Sequence, residues 1–118
     1  MRKNNKELKI AVIGTGYFSK YHFDAWKRLN VELVGICSLN FKEAKTIAES
    51  HKNCKFFSDY VDMIKSTKPD LIDMIVPPNE QLKIIREISK FGVNIVCQKP
   101  LTNSITEGRK VLKIVKKS

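Results

Sequence analysis

Short apolar runs alternate along this chain with longer stretches whose apolar residues recur every three or four positions. Leu8–Ile13, Val31–Cys37, Lys55–Phe57, Leu71–Val76 and Val93–Cys97 read as strands. The first helical stretch, Tyr17–Leu29, repeats Phe18, Tyr21, His22, Ala25, Trp26 and Leu29 along one face. The second starts from an Asn40 N-cap, with Glu43 three residues on, and runs to about Ser50. Asp59 caps a brief third helix, Tyr60–Ser66, which Pro69-Asp70 ends. A fourth begins at Pro77-Pro78-Asn79, continues through Ile84, Ile85, Ile88 and Phe91, and closes at Gly92. Ser104 and Glu107 make a capping-box pattern for the last, Ile105 to about Lys117.

Five strands alternating with five helices predict an α/β fold, a doubly wound parallel sheet of the Rossmann kind, as one domain over residues 1–118. Leu33-Val34-Gly35-Ile36-Cys37 is apolar on both sides, as a strand buried between two helical layers must be. Ligands of such sheets sit at the carboxyl ends of the strands. Attention therefore falls on Gly14–Phe18, Ser38–Asn40, Val76–Asn79 and Gln98–Pro100.

Gly14-Thr15-Gly16-Tyr17-Phe18-Ser19 joins the first strand to the first helix. It matches G-x-G-x-x-G except for Ser19 at the third glycine. The first glycine permits a tight turn, and the second lets backbone approach a pyrophosphate closely. The helix start then offers N–H groups to phosphate oxygens. Dinucleotide binding is the expectation, with Gly14, Thr15, Gly16, Tyr17 and Phe18 in contact with the cofactor. The usual NAD fingerprint has Asp or Glu at the tip of the second strand, where it binds the adenosine ribose. Here that tip is Ser38, and Glu32 lies at the wrong end of the strand. No carboxylate is expected to repel a 2′-phosphate, while Ser38, Asn40 and Lys42 can bind one. The cofactor expectation is NADP or NAD, leaning to NADP.

Lys plus Arg number 22 and Asp plus Glu 12, a net charge of +10. Nearly all of it is lysine, spread along the chain rather than gathered into a stripe. Arginine is preferred for bidentate phosphate or base contacts. A solvated lysine-rich surface is the expectation, with no nucleic-acid partner. The longest apolar runs are far shorter than the roughly 20 residues of a membrane span. Cys37, Cys54 and Cys97 cannot all pair within one chain and have no zinc spacing, so reduced thiols and a cytoplasmic setting are expected. No metal site is expected: His22 and His51 are isolated.

Three segments taken together carry a family resemblance: V-I-G-T-G-Y-F-S-K-Y-H at Val12–His22, V-P-P at Val76–Pro78, and C-Q-K-P-L at Cys97–Leu101. Over essentially its whole length the chain resembles the N-terminal Rossmann domain of the Gfo/Idh/MocA oxidoreductases. The resemblance implies NAD(P)-dependent oxidation or reduction of a sugar, cyclitol or related hydroxyl compound by the full-length protein. Family members carry E-K-P after the fifth strand, where this chain has Gln98-Lys99-Pro100. The resemblance assigns the catalytic lysine to Lys99, whose charge can stabilise a developing alkoxide. It puts Val76, Pro77, Gln81, Gln98 and Lys99 against the cofactor. Gln81 aligns with a histidine that the family often has. His22 is expected to pack on the first helix beneath the loop.

Family enzymes are roughly three times as long and add a second α/β domain that forms the substrate face. The expectation is therefore a cofactor domain that binds dinucleotide and alone turns over little or no substrate. Exposed apolar surface is expected where the second domain would pack, and a homo-oligomer for the full-length protein. The competing expectation is a non-catalytic dinucleotide-binding or scaffold module, supported by the loss of the glutamate at Gln98.

Overall fold

A computed structural model describes residues 7–16 and 18–118. Five strands, β1 (Leu8–Ile13), β2 (Val31–Cys37), β3 (Lys55–Phe57), β4 (Leu71–Met74) and β5 (Asn94–Cys97), form one sheet in the order β3-β2-β1-β4-β5. Every pairing is parallel. Helices α1 (Ser19–Arg28), α2 (Phe41–Glu49), α3 (Tyr60–Thr67), α4 (Pro78–Ile88) and α5 (Ile105–Lys117) connect the strands or follow the last one. A short 3₁₀ turn, Ser89–Phe91, extends α4 to Gly92, whose φ of 67° gives the left-handed exit expected there.

The period-two alternation of β1 divides the core. Ile10 and Val12 face α1 and α2 with Phe23, Ala44 and Ala48. Ala11 and Ile13 face the other layer, where Met63, Ile64, Ile84, Ile85, Ile88 and Val111 come from α3, α4 and α5. In β2 the register slips: Ile10 pairs with Leu33 but Ala11 with Gly35, leaving Val34 as an extra residue. That bulge puts Leu33 and Ile36 on the same face, and Val34 and Cys37 on the opposite one. Both layers are thus filled from strands that read as unbroken apolar runs.

Three helix starts follow the local chemistry of the sequence. Asn40 Oδ1 accepts the Glu43 N–H, Asp59 accepts from Val61 and Asp62, and Ser104 Oγ accepts from Glu107. β4 ends at Met74 rather than Val76, although the Ile75 N–H still bonds Ile13 O at 2.8 Å. α1 begins at Ser19, two residues after the expected start. Among the exposed apolar side chains, Val96, Leu101, Ile105, Leu112 and Val115 come from β5, the loop after it and α5. No helix among the described residues is long and apolar enough to cross a membrane.

Candidate cofactor site

The turn after β1 is fixed by Gly14. Its φ is +107°, and its N–H bonds Cys37 O at 2.8 Å, tying the ends of β1 and β2 together. A Cβ here would stand 2.1 Å from Ile75 O, so no other residue can take this path beside β4. Gly16 is different: a Cβ added there meets nothing within 4 Å. Protein packing gives no reason for a glycine at 16, whereas a ligand that needs close approach to the backbone does. Ser19 stands at the third glycine position as the first residue of α1. It is 4% exposed, with its N–H on Gly16 O. No side chain among the described residues caps α1, and its first turn has no acidic residue. The positive end of a ten-residue helix therefore faces this loop. The loop and helix start together suit a pyrophosphate. Phe18 is exposed beside Tyr21, and Tyr17 lies outside the described residues.

At the tip of β2 the structure corrects the sequence reading. The Thr15 hydroxyl donates to Glu43 Oε1 at 2.5 Å and lies 2.6 Å from Ser38 Oγ. The Asn40 N–H donates to Ser38 Oγ at 3.0 Å. Each hydroxyl has one proton. Thr15 gives its proton to Glu43, so Ser38 must give its own to Thr15. The chain of bonds runs from the Asn40 N–H through both hydroxyls and ends on a carboxylate. The expectation that no carboxylate lies here fails because Glu43 comes from the first turn of α2, not from the strand tip. Glu43 reads locally as a capping-box partner; its side chain instead reaches back to the glycine loop. A groove of about 580 Å³ between α1 and α2 begins at Thr15, Gly16 and Glu43 and runs down to Lys27 and His51. It meets the strand ends only at its upper end.

Val76 is half-buried beside Gly14, and Pro77 is the exposed N-cap of α4. Gln81, expected to touch the cofactor, has no exposed surface. Its Nε2 donates to the carbonyls of Gln98 (2.9 Å), Pro100 (3.0 Å) and Leu101 (3.0 Å). Gln81 holds the loop after β5 from beneath, so a direct cofactor contact is excluded by burial. That loop contains a cis Lys99–Pro100 bond. Lys99 is exposed, and its N–H donates to Gln98 Oε1 at 3.2 Å.

His22 does more than pack beneath the loop. Its Nδ1 is 2.7 Å from Asp73 Oδ2, and its Nε2 is 3.2 Å from Gln98 Nε2. The Trp26 indole N–H donates to the same Asp73 oxygen at 2.7 Å. Asp73 is wholly buried in β4, paired with Val12 and Val96 in the neighbouring strands. One signal for this is legible in the sequence, a lone Asp inside the apolar run Leu71–Val76, but its partners lie about fifty residues upstream.

The three cysteines are free thiols. Burial pushes Cys37 up to about 11, with the Asp59 charge adding to it. Burial alone pushes Cys54 up to about 12. Cys97 is raised by burial and then by the charge of Asp73. Thiolate is the reactive form. Iodoacetamide at pH 7.5 is therefore expected to modify Cys37 and Cys54 in the folded chain on the order of a hundredfold more slowly than in the urea-unfolded chain. Intact-mass time courses check this, and equal rates in the two states would contradict it. No group of three or more His, Cys, Asp or Glu among the described residues could hold a metal ion.

Comparisons with known proteins agree with this fold. Residues 8–118 match the model of an oxidoreductase family with an NAD-binding Rossmann fold, Gfo/Idh/MocA. The D-apiose dehydrogenase of Paraburkholderia graminis is 24% identical over 105 residues, which are 88% of this chain and 28% of that protein. The inositol 2-dehydrogenase of Rubrobacter xylanophilus is 25% identical over 114 residues, 95% of this chain and 33% of that protein. Among solved structures, the myo-inositol dehydrogenase of Lactobacillus casei, in complex with NAD(H) and myo-inositol, superposes with a TM-score of 0.87 at 17% identity. The match covers 96% of this chain and 34% of that one, and shows likeness of fold. The chain thus spans about a third of the length of these relatives. With a family match over nearly all of its length, on a five-stranded parallel sheet with the glycine turn after its first strand, the chain belongs to the Gfo/Idh/MocA oxidoreductases through that family's NAD-binding Rossmann fold.

Proposed function

We propose that this chain is the dinucleotide-binding domain of a dehydrogenase acting on a sugar, cyclitol or related hydroxyl compound, and that its cofactor is NAD(H) rather than NADP(H). The observation that carries the reading is the contrast between the two glycines. Gly14 is required by packing, and Gly16 leaves open space beside the uncapped start of α1. Gly14–Gly16 and α1 would hold the pyrophosphate. Thr15, Ser38 and Asn40 would line the adenosine ribose, and Val76, Pro77, Gln98 and Lys99 the path toward the nicotinamide. The bound cofactor would supply the hydride acceptor or donor. Lys99, on an exposed loop pinned by Gln81, would place its ammonium where a substrate hydroxyl becomes an alkoxide and stabilise that charge.

The preference for NAD(H) follows from the hydrogen-bond chain at the β2 tip. Both hydroxyls have committed their protons, and the chain ends on the Glu43 carboxylate. A ribose diol brings its own donors to such a surface; a 2′-phosphate brings further negative charge to a carboxylate. Titration of the chain with each reduced cofactor, read by quenching of Trp26 and energy transfer to the nicotinamide, tests both parts. NADH is expected to bind on the order of tenfold tighter than NADPH, and Glu43→Gln to close most of that gap. Binding of neither at millimolar concentration would sink the cofactor reading. Equal binding of both, unchanged in Glu43→Gln, would sink the preference alone.

A homo-oligomeric full-length protein and a cytoplasmic setting belong to the same proposal. The first is supported by the exposed apolar side chains of β5, the loop after it and α5, the second by the three free thiols. Gln98 in place of the family's glutamate favours a second reading, a dinucleotide-binding module without hydride transfer.

A further inference from the structure

The contacts around His22 determine where its proton sits. The Trp26 indole N–H can only donate, so Asp73 Oδ2 accepts from it; with Asp73 as a carboxylate, the short Nδ1 contact to the same oxygen places a proton on His22 Nδ1. At the far end, Gln98 Oε1 accepts the Lys99 N–H, which fixes the amide with its NH₂ toward the ring. His22 Nε2 must then accept, and the imidazole is neutral. All four bonds point consistently: Lys99 N–H to Gln98, Gln98 to His22, His22 to Asp73, and Trp26 to Asp73. A glutamate at position 98 could not join this chain. Its carboxylate would face the Nε2 lone pair unless the ring took up a second proton.

We propose that Asp73 and His22 are positioning residues for the Gln98–Lys99 loop, and that the lone pair Asp73 directs through His22 selects glutamine over glutamate at position 98. The negative charge of the group is held on the buried Asp73. Neutral His22 with Gln98 leaves the group at net −1, and protonated His22 with a glutamate at position 98 would leave it at the same −1. A Gln98→Glu substitution would therefore move a proton without changing the charge near Lys99. The consequence for cofactor or substrate rests on the dehydrogenase-domain reading; the arrangement of protons does not.

The test uses the 118-residue chain labelled with ¹⁵N and read by NMR at pH 7. The His22 ring of the wild type should show the neutral form protonated on Nδ1, and Gln98→Glu should convert it to the form protonated on both nitrogens. Retention of the fold in each variant is read from the amide dispersion of the same spectra. In His22→Phe the order parameter of the Lys99 amide should fall from about 0.85 to below about 0.6, as the loop loses its tether. A histidine that only fills space would move none of these signals. A wild-type ring protonated on Nε2, a neutral ring in Gln98→Glu, or an unchanged Lys99 amide in His22→Phe would each overturn the proposal. If the ring and loop behave as expected while NADH fails to bind, the proposal stands and the cofactor reading falls.

Discussion

Gly14→Ala is expected to destabilise the chain by about 2–6 kcal/mol, and Gly16→Ala by less than about 1 kcal/mol, while both lose NADH binding. At Gly14 two costs add. A φ of +107° is strained for any residue with a Cβ, by roughly 1–3 kcal/mol. The new carbon would also lie 2.1 Å from Ile75 O and 2.8 Å from Ile75 C. Backbone atoms of Ile75, just past β4 and still bonded to Ile13 O, cannot swing aside like the end of a side chain, so the turn or the end of β4 must shift, at roughly another 1–3 kcal/mol. The total is a large share of the roughly 5–15 kcal/mol that holds a typical domain together. At Gly16 the added carbon meets no atom of the described residues within 4 Å, chain neighbours aside, and φ lies outside the left-handed region. Any loss of binding there is a collision with the ligand itself. Thermal unfolding and NADH titration of both variants separate these effects. A stable Gly14→Ala that still binds NADH would contradict the geometry of the turn. A Gly16→Ala that binds like the wild type would remove the main support for the pyrophosphate site.

The parts of this molecule that were legible in the sequence are those fixed by near neighbours. β1 and β2 are apolar because both faces are covered, and that shows as a run of residues. Asn40, Asp59 and Ser104 cap their helices through backbone groups two or three positions away, so their spacing is sufficient to find them. The glycine turn shows as G-x-G between one strand and one helix, although Gly14 also answers to Cys37 O and Ile75 O across the sheet. Side chains whose partners arrive through the crossovers were not legible in this way. Glu43 carries the spacing of a local cap, yet bonds Thr15. Gln81 lies in the first turn of α4, a place where a ligand contact is plausible, yet faces inward to three carbonyls of the loop after β5. His22 and Asp73 are fifty-one positions apart and meet only because β4 packs beside β1 under α1. Gln81 and Asp73 are buried polar groups that must be matched by a partner, and the parallel topology decides which.

The loop that carries Gln98 and Lys99 is held at its carbonyls by one buried amide, beside the His22 contact to Gln98, which makes Gln81→Leu the second large expected effect. The side chain is wholly buried, and its two N–H protons serve three carbonyls, of Gln98, Pro100 and Leu101. Leucine has nearly the same volume, so little of the cost is cavity. It has no donor, and three carbonyls would lose theirs. A buried acceptor left unpaired costs about 1–3 kcal/mol. Two things reduce the sum. Lys99, Pro100 and Leu101 are exposed, so the loop can swing its carbonyls toward water, and the unpartnered Gln81 Oε1 disappears with the substitution. A net loss of about 2–3 kcal/mol is expected. The swing is the more informative part, because it takes Gln98 away from His22 and moves Lys99. Gln81→Leu should therefore weaken NADH binding although residue 81 touches no ligand. Gln81→His, with one N–H toward the loop, should fall between leucine and the wild type in both stability and affinity. Gln81→Glu sets a carboxylate against three carbonyls and should be the worst at pH 7. That order, glutamine above histidine above leucine above glutamate, belongs to a donor that holds a loop. A residue contacting the cofactor directly would instead let affinity fall while the unfolding temperature stayed constant.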